Sequence, residues 1–342
     1  MKKTFLLSFI LAVSVIVMAQ EKTPYMTKSL SSESVKNVEV ETSGGGISVT
    51  GVSSASETKV EVYIVANNGK NDISKEEIES RLAQYELTVA VSNNKLTAIA
   101  KPKERDMNWK KGLSISFKVY VLKNVATDLA TSGGSISLNN LNGDQKFVTS
   151  GGSLNVDNVG GKIDGRTSGG SIKVKNSKDD IELATSGGSI DAENCEGKLR
   201  LSTSGGSIKL NDLKGDIKAT TSGGGIKGDA ISGGLIATTS GGSIKLSDLA
   251  CDLETSTSGG GIDISITSLG KYVKIRNSGG SINLQLPKNK GLDLDIAANK
   301  IKTDQLSNFT GKAGDDELEG KINGGGIPVN VRSSGNVSLV FK

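Results

Sequence analysis

The sequence predicts an all-β fold: a right-handed parallel β-helix (β-solenoid) with 18-residue coils, capped N-terminally by a small α+β section. Three observations predict it. The hexapeptide Thr-Ser-Gly-Gly-Ser/Gly-Ile/Leu starts at Thr131, Thr149, Thr167, Thr185, Thr203, Thr221, Thr239 and Thr257, always 18 residues apart. A short fixed period marks a chain that stacks one unit on itself. Between hexapeptides, apolar and polar residues alternate, the two-residue period of strands with one buried face. The composition suits a thin stack: of 342 residues 44 are Gly and 4 are Pro, and aromatics make up 4%. Periodic Gly marks turns rather than loose chain, and Ile, Leu and Val are left to fill a narrow core.

Numbering each repeat from its Thr, the stretch Thr203 to Thr220 serves as the type. Ile208 and Leu210 alternate with Lys209, and Ile217 and Ala219 with Lys218, which predicts two short strands. Asn211 to Gly215 reads as a turn with Leu213 as its apolar plug, and Gly205-Gly206 as the second turn. Position 6 is Ile136, Leu154, Ile172, Ile190, Ile208, Ile226, Ile244 and Ile262 in successive repeats. One 18-mer has no way to bury its apolar face alone, but a stack does. The right-handed winding follows the strong preference of parallel crossover connections. Gly133, Gly151, Gly169, Gly187, Gly205, Gly223, Gly241 and Gly259, the first glycines of the pairs, are the expected turn residues. The pairs are expected to supply positive φ and to let coils approach closely. On that reading Gly206→Val costs more than about 1 kcal/mol. Thr at position 1 and Ser at position 2 are expected to form hydroxyl ladders, each bonding its counterpart one rung away.

The chain is expected to divide into a signal peptide over 1–19, a disordered linker over 20–35, the α+β cap and first strands over 36–126, the regular solenoid over 127–298, and an irregular loop with closing strands over 299–342. Lys2 and Lys3 precede an apolar run from Phe5 to Ala19, with Ala19-Gln20 as the cleavage point. The run is about 15 residues, short of the ~20 that a membrane anchor needs. No Cys follows it, which argues against a lipid anchor, and no second hydrophobic stretch predicts a transmembrane segment after cleavage. Export to the periplasm, cell surface or medium is therefore expected.

In the cap, an outlying repeat copy starts at Thr42. Strands are expected over Lys59–Val65, Leu87–Val91, Lys95–Ala100 and Leu113–Leu122, with Ser92-Asn93-Asn94 as a hairpin. Asp72 to Tyr85 reads as a helix with Ser74 as N-cap and Glu77 three residues on. At the far end a near copy starts at Asn277 and a degenerate one, Ile-Asn-Gly-Gly-Gly-Ile, at Ile322. Residues 299 to 321 read mainly as loop. Ile327–Val331 and Asn336–Phe341 read as closing strands, with Phe309 and Phe341 covering the last rung.

Chemistry is sparse. His is absent, which removes the commonest general base and metal ligand. Cys195 and Cys251 lie three rungs apart, about 14 Å at ~4.8 Å per strand, too far for a disulfide. Both are expected as free thiols. No Gly-rich stretch ends in Gly-Lys-Ser/Thr, so no phosphate loop is present. The Gly pairs lack the Asp ligands of calcium-binding rolls, and no cofactor or metal is expected. Cleaving the signal peptide removes Lys2 and Lys3 and takes the net charge from +4 to +2. The remaining charges are interspersed, so nucleic acid is not expected as a partner. The acidic run Asp315-Asp316-Glu317 with Glu319, and the pair Asp179-Asp180, read as solvated loop and turn charge. A Thr-Ser-Gly-Gly turn is also a poor ice-binding lattice. One surface feature stands out: Lys209, Lys227 and Lys245 occupy position 7 of three successive repeats, a basic stripe. It reads as solubilising charge or as a contact face for an anionic glycan.

The Thr-Ser-Gly-Gly-Ser-Ile repeats, preceded by the Val38–Leu122 section and a signal peptide, resemble the bacterial putative-adhesin family of β-strand-repeat proteins, a domain of unknown function. The resemblance covers Val38 to Lys342. It implies a β-helix in an exported or envelope-associated protein and transfers no catalytic or binding residue. Three functions are in view: a non-enzymatic adhesin or scaffold holding a surface glycan or envelope protein, an envelope-stress sensor, and a carbohydrate-active β-helix enzyme. The sequence favours the first.

Overall fold

The computed structural model describes residues 23–67, 74–104 and 112–342. The expected signal peptide lies outside the described residues. The chain is all-β, and its strands join one long, unclosed, mostly parallel sheet. The N-terminal section supplies β1 (Met26–Ser29), β2 (Asn37–Thr42), β3 (Ile47–Val52), β4 (Lys59–Ala66), helix α1 (Lys75–Leu82), β5 (Tyr85–Ser92), β6 (Lys95–Pro102) and β7 (Leu113–Leu122). The repeats follow as β8 (Ala126–Thr131), β9 (Ile136–Asn142), β10 (Gln145–Thr149), β11 (Leu154–Gly160), β12 (Lys162–Thr167), β13 (Ile172–Lys175) and β14 (Lys178–Thr185). Five long strands come next: β15 (Ile190–Thr203), β16 (Ile208–Thr221), β17 (Ile226–Thr239), β18 (Ile244–Thr257) and β19 (Ile262–Asn277).

In the repeats, register is strict. Ile190 pairs with Ile208, Ile208 with Ile226, and Ile226 with Ile244, all parallel. Their side chains are at most 1% exposed. Each rung is a single ladder rather than two strands and a loop. Leu213 pairs with Ile231, Lys214 with Ser232 and Gly215 with Gly233. The expected Asn211–Gly215 turn is thus a short third face between two corners. Asp212 makes the first corner at φ 49° and Gly215 the second at φ 122°. Asn, Asp and Gly tolerate these left-handed angles best, which is why such residues recur there. At the first corner Asn158 donates to Asn140 at 3.1 Å and Asn194 to Asn176 at 2.7 Å, an amide ladder along the edge.

Core columns compensate in size. Gly165 stands between Phe147 and Leu183, and a Cβ on it would meet the Phe147 ring at 2.3 Å. One large ring fills the space of two residues. Gly228 is filled likewise by Ile231 and Leu246. Both cysteines are buried and free. Burial pushes the Cys251 thiol up to about 12, aided by Asp252, and pushes Cys195 upward too. Neither is a thiolate at neutral pH.

The ends depart from sequence order. β2 and β3, carrying the Thr42 copy, pair on one side with β8 and β9 and on the other with β6 and β7. The copy is therefore a genuine rung, slotted between residues 95–122 and 126–142. β5 joins β6 through Asn93 and Asn94 at φ 50° and 61°, the twisted hairpin turn that Asn permits. β4 pairs antiparallel with β7, and β1 pairs antiparallel with β4 over Lys59–Val62. The described part of the expected linker 20–35 is thus not unstructured. It holds β1, and Leu30 is fully buried. In α1, the Ser74 hydroxyl accepts from the Glu77 N–H at 3.2 Å, as expected of an N-cap.

At the other end come β20 (Ile282–Leu286), β21 (Leu292–Ala297), β22 (Lys300–Thr303), β23 (Phe309–Ala313), β24 (Glu317–Ile322), β25 (Ile327–Ser333) and β26 (Asn336–Phe341). β25 sits between β19 and β21, and β26 between β20 and β22. The expected closing strands are an inserted rung. Three strands occupy the stretch 299–321 that reads as loop. Two of them, β23 and β24, extend the sheet antiparallel beyond β21.

Candidate functional site

The hexapeptide turn is the most elaborated polar feature of the chain. The Thr203 hydroxyl donates to the Gly188 carbonyl of the preceding rung at 2.8 Å and accepts from its own Gly206 N–H at 3.3 Å. The same bridge recurs at Thr131, Thr149, Thr167, Thr185, Thr239 and Thr257. The threonines are buried and bond the backbone, not one another, so the expected threonine hydroxyl ladder is replaced by a hydroxyl–glycine node. A shorter serine ladder does form, at position 5: the Ser207 N–H donates to the Ser189 hydroxyl at 3.2 Å.

The node also explains the glycines. Neither glycine of the pair has positive φ. The second is needed for close approach: a Cβ on Gly206 would lie 2.1 Å from the Gly188 carbonyl oxygen. The first glycines, Gly133, Gly151, Gly169, Gly187, Gly205, Gly223, Gly241 and Gly259, sit in the bend but are not the tight positions. The nearest atom to a Cβ there ranges from 3.1 to 3.8 Å. Asn277 reproduces the whole node in one side chain. Its amide donates to the Gly260 carbonyl at 3.1 Å, and its oxygen accepts from the Gly280 N–H at 3.2 Å. Ser333 makes a looser version in the inserted rung: it donates to the Gly280 carbonyl and accepts from the Gly335 N–H. That rung reads Ser-Ser-Gly-Asn-Val and lacks one glycine, so the repeat pattern misses it. The degenerate copy at Ile322 is a different turn, with Gly324, Gly325 and Gly326 all at positive φ.

Lys209, Lys227 and Lys245 do form a column, exposed and adjacent on β16, β17 and β18. The same column places Asp191 before Lys209 and Asp263 after Lys245, with Lys245 Nζ 3.8 Å from Asp263. Position 9, the next column, adds Lys175, Glu193 and Asp229. Lys175 pairs with Glu193, and its bond and charge hold the Glu193 carboxyl below the usual carboxylate range, with Lys209 adding a smaller pull. The stripe is thus one segment of a mixed-sign face rather than a polyanion cradle. The acidic run is dispersed as well: Glu317 pairs with Lys312 at the start of β24, and Asp315 and Asp316 lie in the β23–β24 turn. Among the described residues, no three Cys, Asp or Glu side chains converge to hold a metal ion. No helix among them is long and apolar enough to cross a membrane.

No protein-family model and no curated protein matches the chain. Two solved structures do. One is a putative cell adhesion protein from Clostridium sporogenes, 12% identical over 93% of this chain and 98% of that one, with a TM-score of 0.18. The other is a putative adhesin from Bacteroides fragilis, 12% identical over 93% and 96%, with a TM-score of 0.24. Likenesses of this degree establish neither fold nor function for this chain.

Proposed function

We propose that the chain is a non-enzymatic, exported β-solenoid of right-handed coils that holds a surface glycan or envelope protein, an adhesin or envelope scaffold. One observation carries this reading. The register-locked stack sets outward side chains in straight columns spaced by the ~4.8 Å strand separation. Position 7 runs without a break from Ser137 through Asn155, Lys173, Asp191, Lys209, Lys227 and Lys245 to Asp263. A rigid, repetitive, mixed-polarity surface suits an extended partner that repeats along its own length, and it needs no chemistry at a single point. The resemblance of the repeats to an exported adhesin-type family supports the same reading.

Two measurements test it. Protease treatment of intact cells should cleave the protein, and purified envelope polysaccharide should retain the full chain. Replacing Lys209, Lys227 and Lys245 by Ser together should lower retention several-fold at low salt and less at high salt. A protein found only in the cytoplasm contradicts the reading. Unchanged retention of the triple variant removes the lysine column from it.

A further inference from the structure

Position 7 does not begin at Ser137. Register carries it back through Ser48 to Lys118 on β7, and there the surface drops into a cleft of about 510 Å³. The floor is low because its residues are small. Ser116 on β7, Gly46 before β3, and Ser135 before β9 form one row, with Ser48 and Ser137 in the next. Tyr63 and Val65 on β4 stand beside this floor as an apolar wall, Tyr63 directly opposite Ser116.

The electrostatics are asymmetric. Burial alone would raise the Glu61 carboxyl. Hydrogen bonds from Lys59 and the Tyr63 hydroxyl, with the charges of Lys59 and Lys118, hold it below the usual carboxylate range instead. Glu61 is therefore ionised and bonded to Lys59 at 2.7 Å. Lys118, 4.7 Å from the Tyr63 ring centre, is left as the surplus positive charge at the cleft.

The chemistry narrows the ligand. The floor strands β3 and β7 are paired on both sides, whereas β4 pairs with β1 only over Lys59–Val62. A ligand lying over that floor therefore finds no free backbone edge, and recognition there must come from side chains. Serine hydroxyls both donate and accept, as the hydroxyls of a sugar require. An aromatic ring and Val65 offer a flat apolar plate, and a single ammonium suits one carboxylate. We infer that this cleft seats an acidic saccharide unit. Its ring lies against Tyr63, its hydroxyls meet Ser48, Ser116 and Ser137, and its carboxylate meets Lys118. The inference deepens the glycan-holding reading above, because the cleft opens onto the column that leads to Lys209.

The test is calorimetric titration of the full chain with digalacturonate and, separately, with the neutral disaccharide cellobiose. Saturable binding that favours digalacturonate is expected. Tyr63→Ala should weaken it about tenfold, the scale of one lost aromatic contact, whereas Tyr63→Phe keeps the ring and should bind like wild type. Lys118→Gln should bind both disaccharides alike. A melt of each variant confirms that it is folded, and Lys118→Gln alone carries the test if Tyr63→Ala is not. Absence of binding to either disaccharide overturns the inference. So does unchanged binding in Tyr63→Ala and Lys118→Gln, or preferential capture of hexaglutamate. If the Lys209/Lys227/Lys245 triple variant loses polysaccharide retention while the cleft variants keep it, the cleft fails and the scaffold reading stands.

Discussion

The middle of the stack and its two ends are built from the same bonds in a different order. From Thr131 to Asn277 the next rung in space is the next rung in sequence. At each end a rung arrives from elsewhere: residues 37–52 dock inside 95–122, and residues 327–341 dock inside 292–303. The donating half of the hydroxyl node survives the rearrangement. Thr42 donates to the Ile115 carbonyl at 2.7 Å, 73 residues away, in the place where Thr203 reaches back 15. A local repeat thus builds a spine by propagation, while the ends pay a larger chain-closure entropy and return a stack bordered by antiparallel strands.

The largest effect expected from breaking this comparison lies in the core. Phe147→Ala should cost about 3–5 kcal/mol in a chemical melt, because Gly165 on the next rung offers nothing to refill the space. Phe309, only half-buried over Gly320 at the end, should cost less than half of that when truncated. Equal losses would mean that the end is packed as tightly as the middle.

Adjacent glycines sharpen the account of the turn. Gly206→Ala should destabilise by about 1–3 kcal/mol or more, since its Cβ collides with backbone that lacks room to move. Gly205→Ala, with its nearest contact at 3.5 Å, should stay within about 0.5 kcal/mol. A reversed ranking would restore the positive-φ reading of the pair.

Two threonines on the same stack should respond with opposite signs. Thr203→Val leaves a carbonyl and an N–H short of a partner and should cost about 1–3 kcal/mol. Thr255 is 1% exposed and its hydroxyl has no partner. Thr255→Val should therefore be neutral or stabilising by about 1 kcal/mol.

The smallest effect separates the N-terminal end from the middle by pH. The Glu61 pKa is lowered in the folded state from its ordinary 4.5. Its contribution is present above that ordinary value and is lost as pH falls through the depressed one. The protection factors of β4 amides, corrected for the intrinsic exchange rate at each pH, should fall on acidification below about pH 4.5, and Glu61→Gln should remove that dependence.

The columns of the middle were legible because each apolar position repeats against itself. Other features were not, for physical reasons. A glycine needed for close approach and one needed for positive φ look the same in sequence, so the sequence assigns Gly205 and Gly206 one role, whereas only Gly206 is confined. The third face spans so few residues between its left-handed corners that Asn211–Gly215 reads as a turn. β22 and β23 are short edge strands with little buried face, so residues 299–321 show no alternation. Ser333 keeps the hydroxyl of the node but not the glycine pair, and the motif hides it. The cleft beside Tyr63 leaves no signal in the sequence, because Lys118, Ser48 and Ser137 become neighbours only through the inserted rung.

Oxidative crosslinking at the C-terminal end tests that insertion most directly, in a background where Cys195 and Cys251 are replaced by Ala. Ser338 faces Asn283 on one side and Lys302 on the other, at about the 4.8 Å spacing that a disulfide accepts. Asn283→Cys with Ser338→Cys, and Ser338→Cys with Lys302→Cys, should each form a bond. Asn283→Cys with Lys302→Cys, two rungs apart, should not. Ready crosslinking of that last pair, with no bond in either of the two pairs that include Ser338→Cys, would contradict the interleaved order and with it the account of how the stack closes.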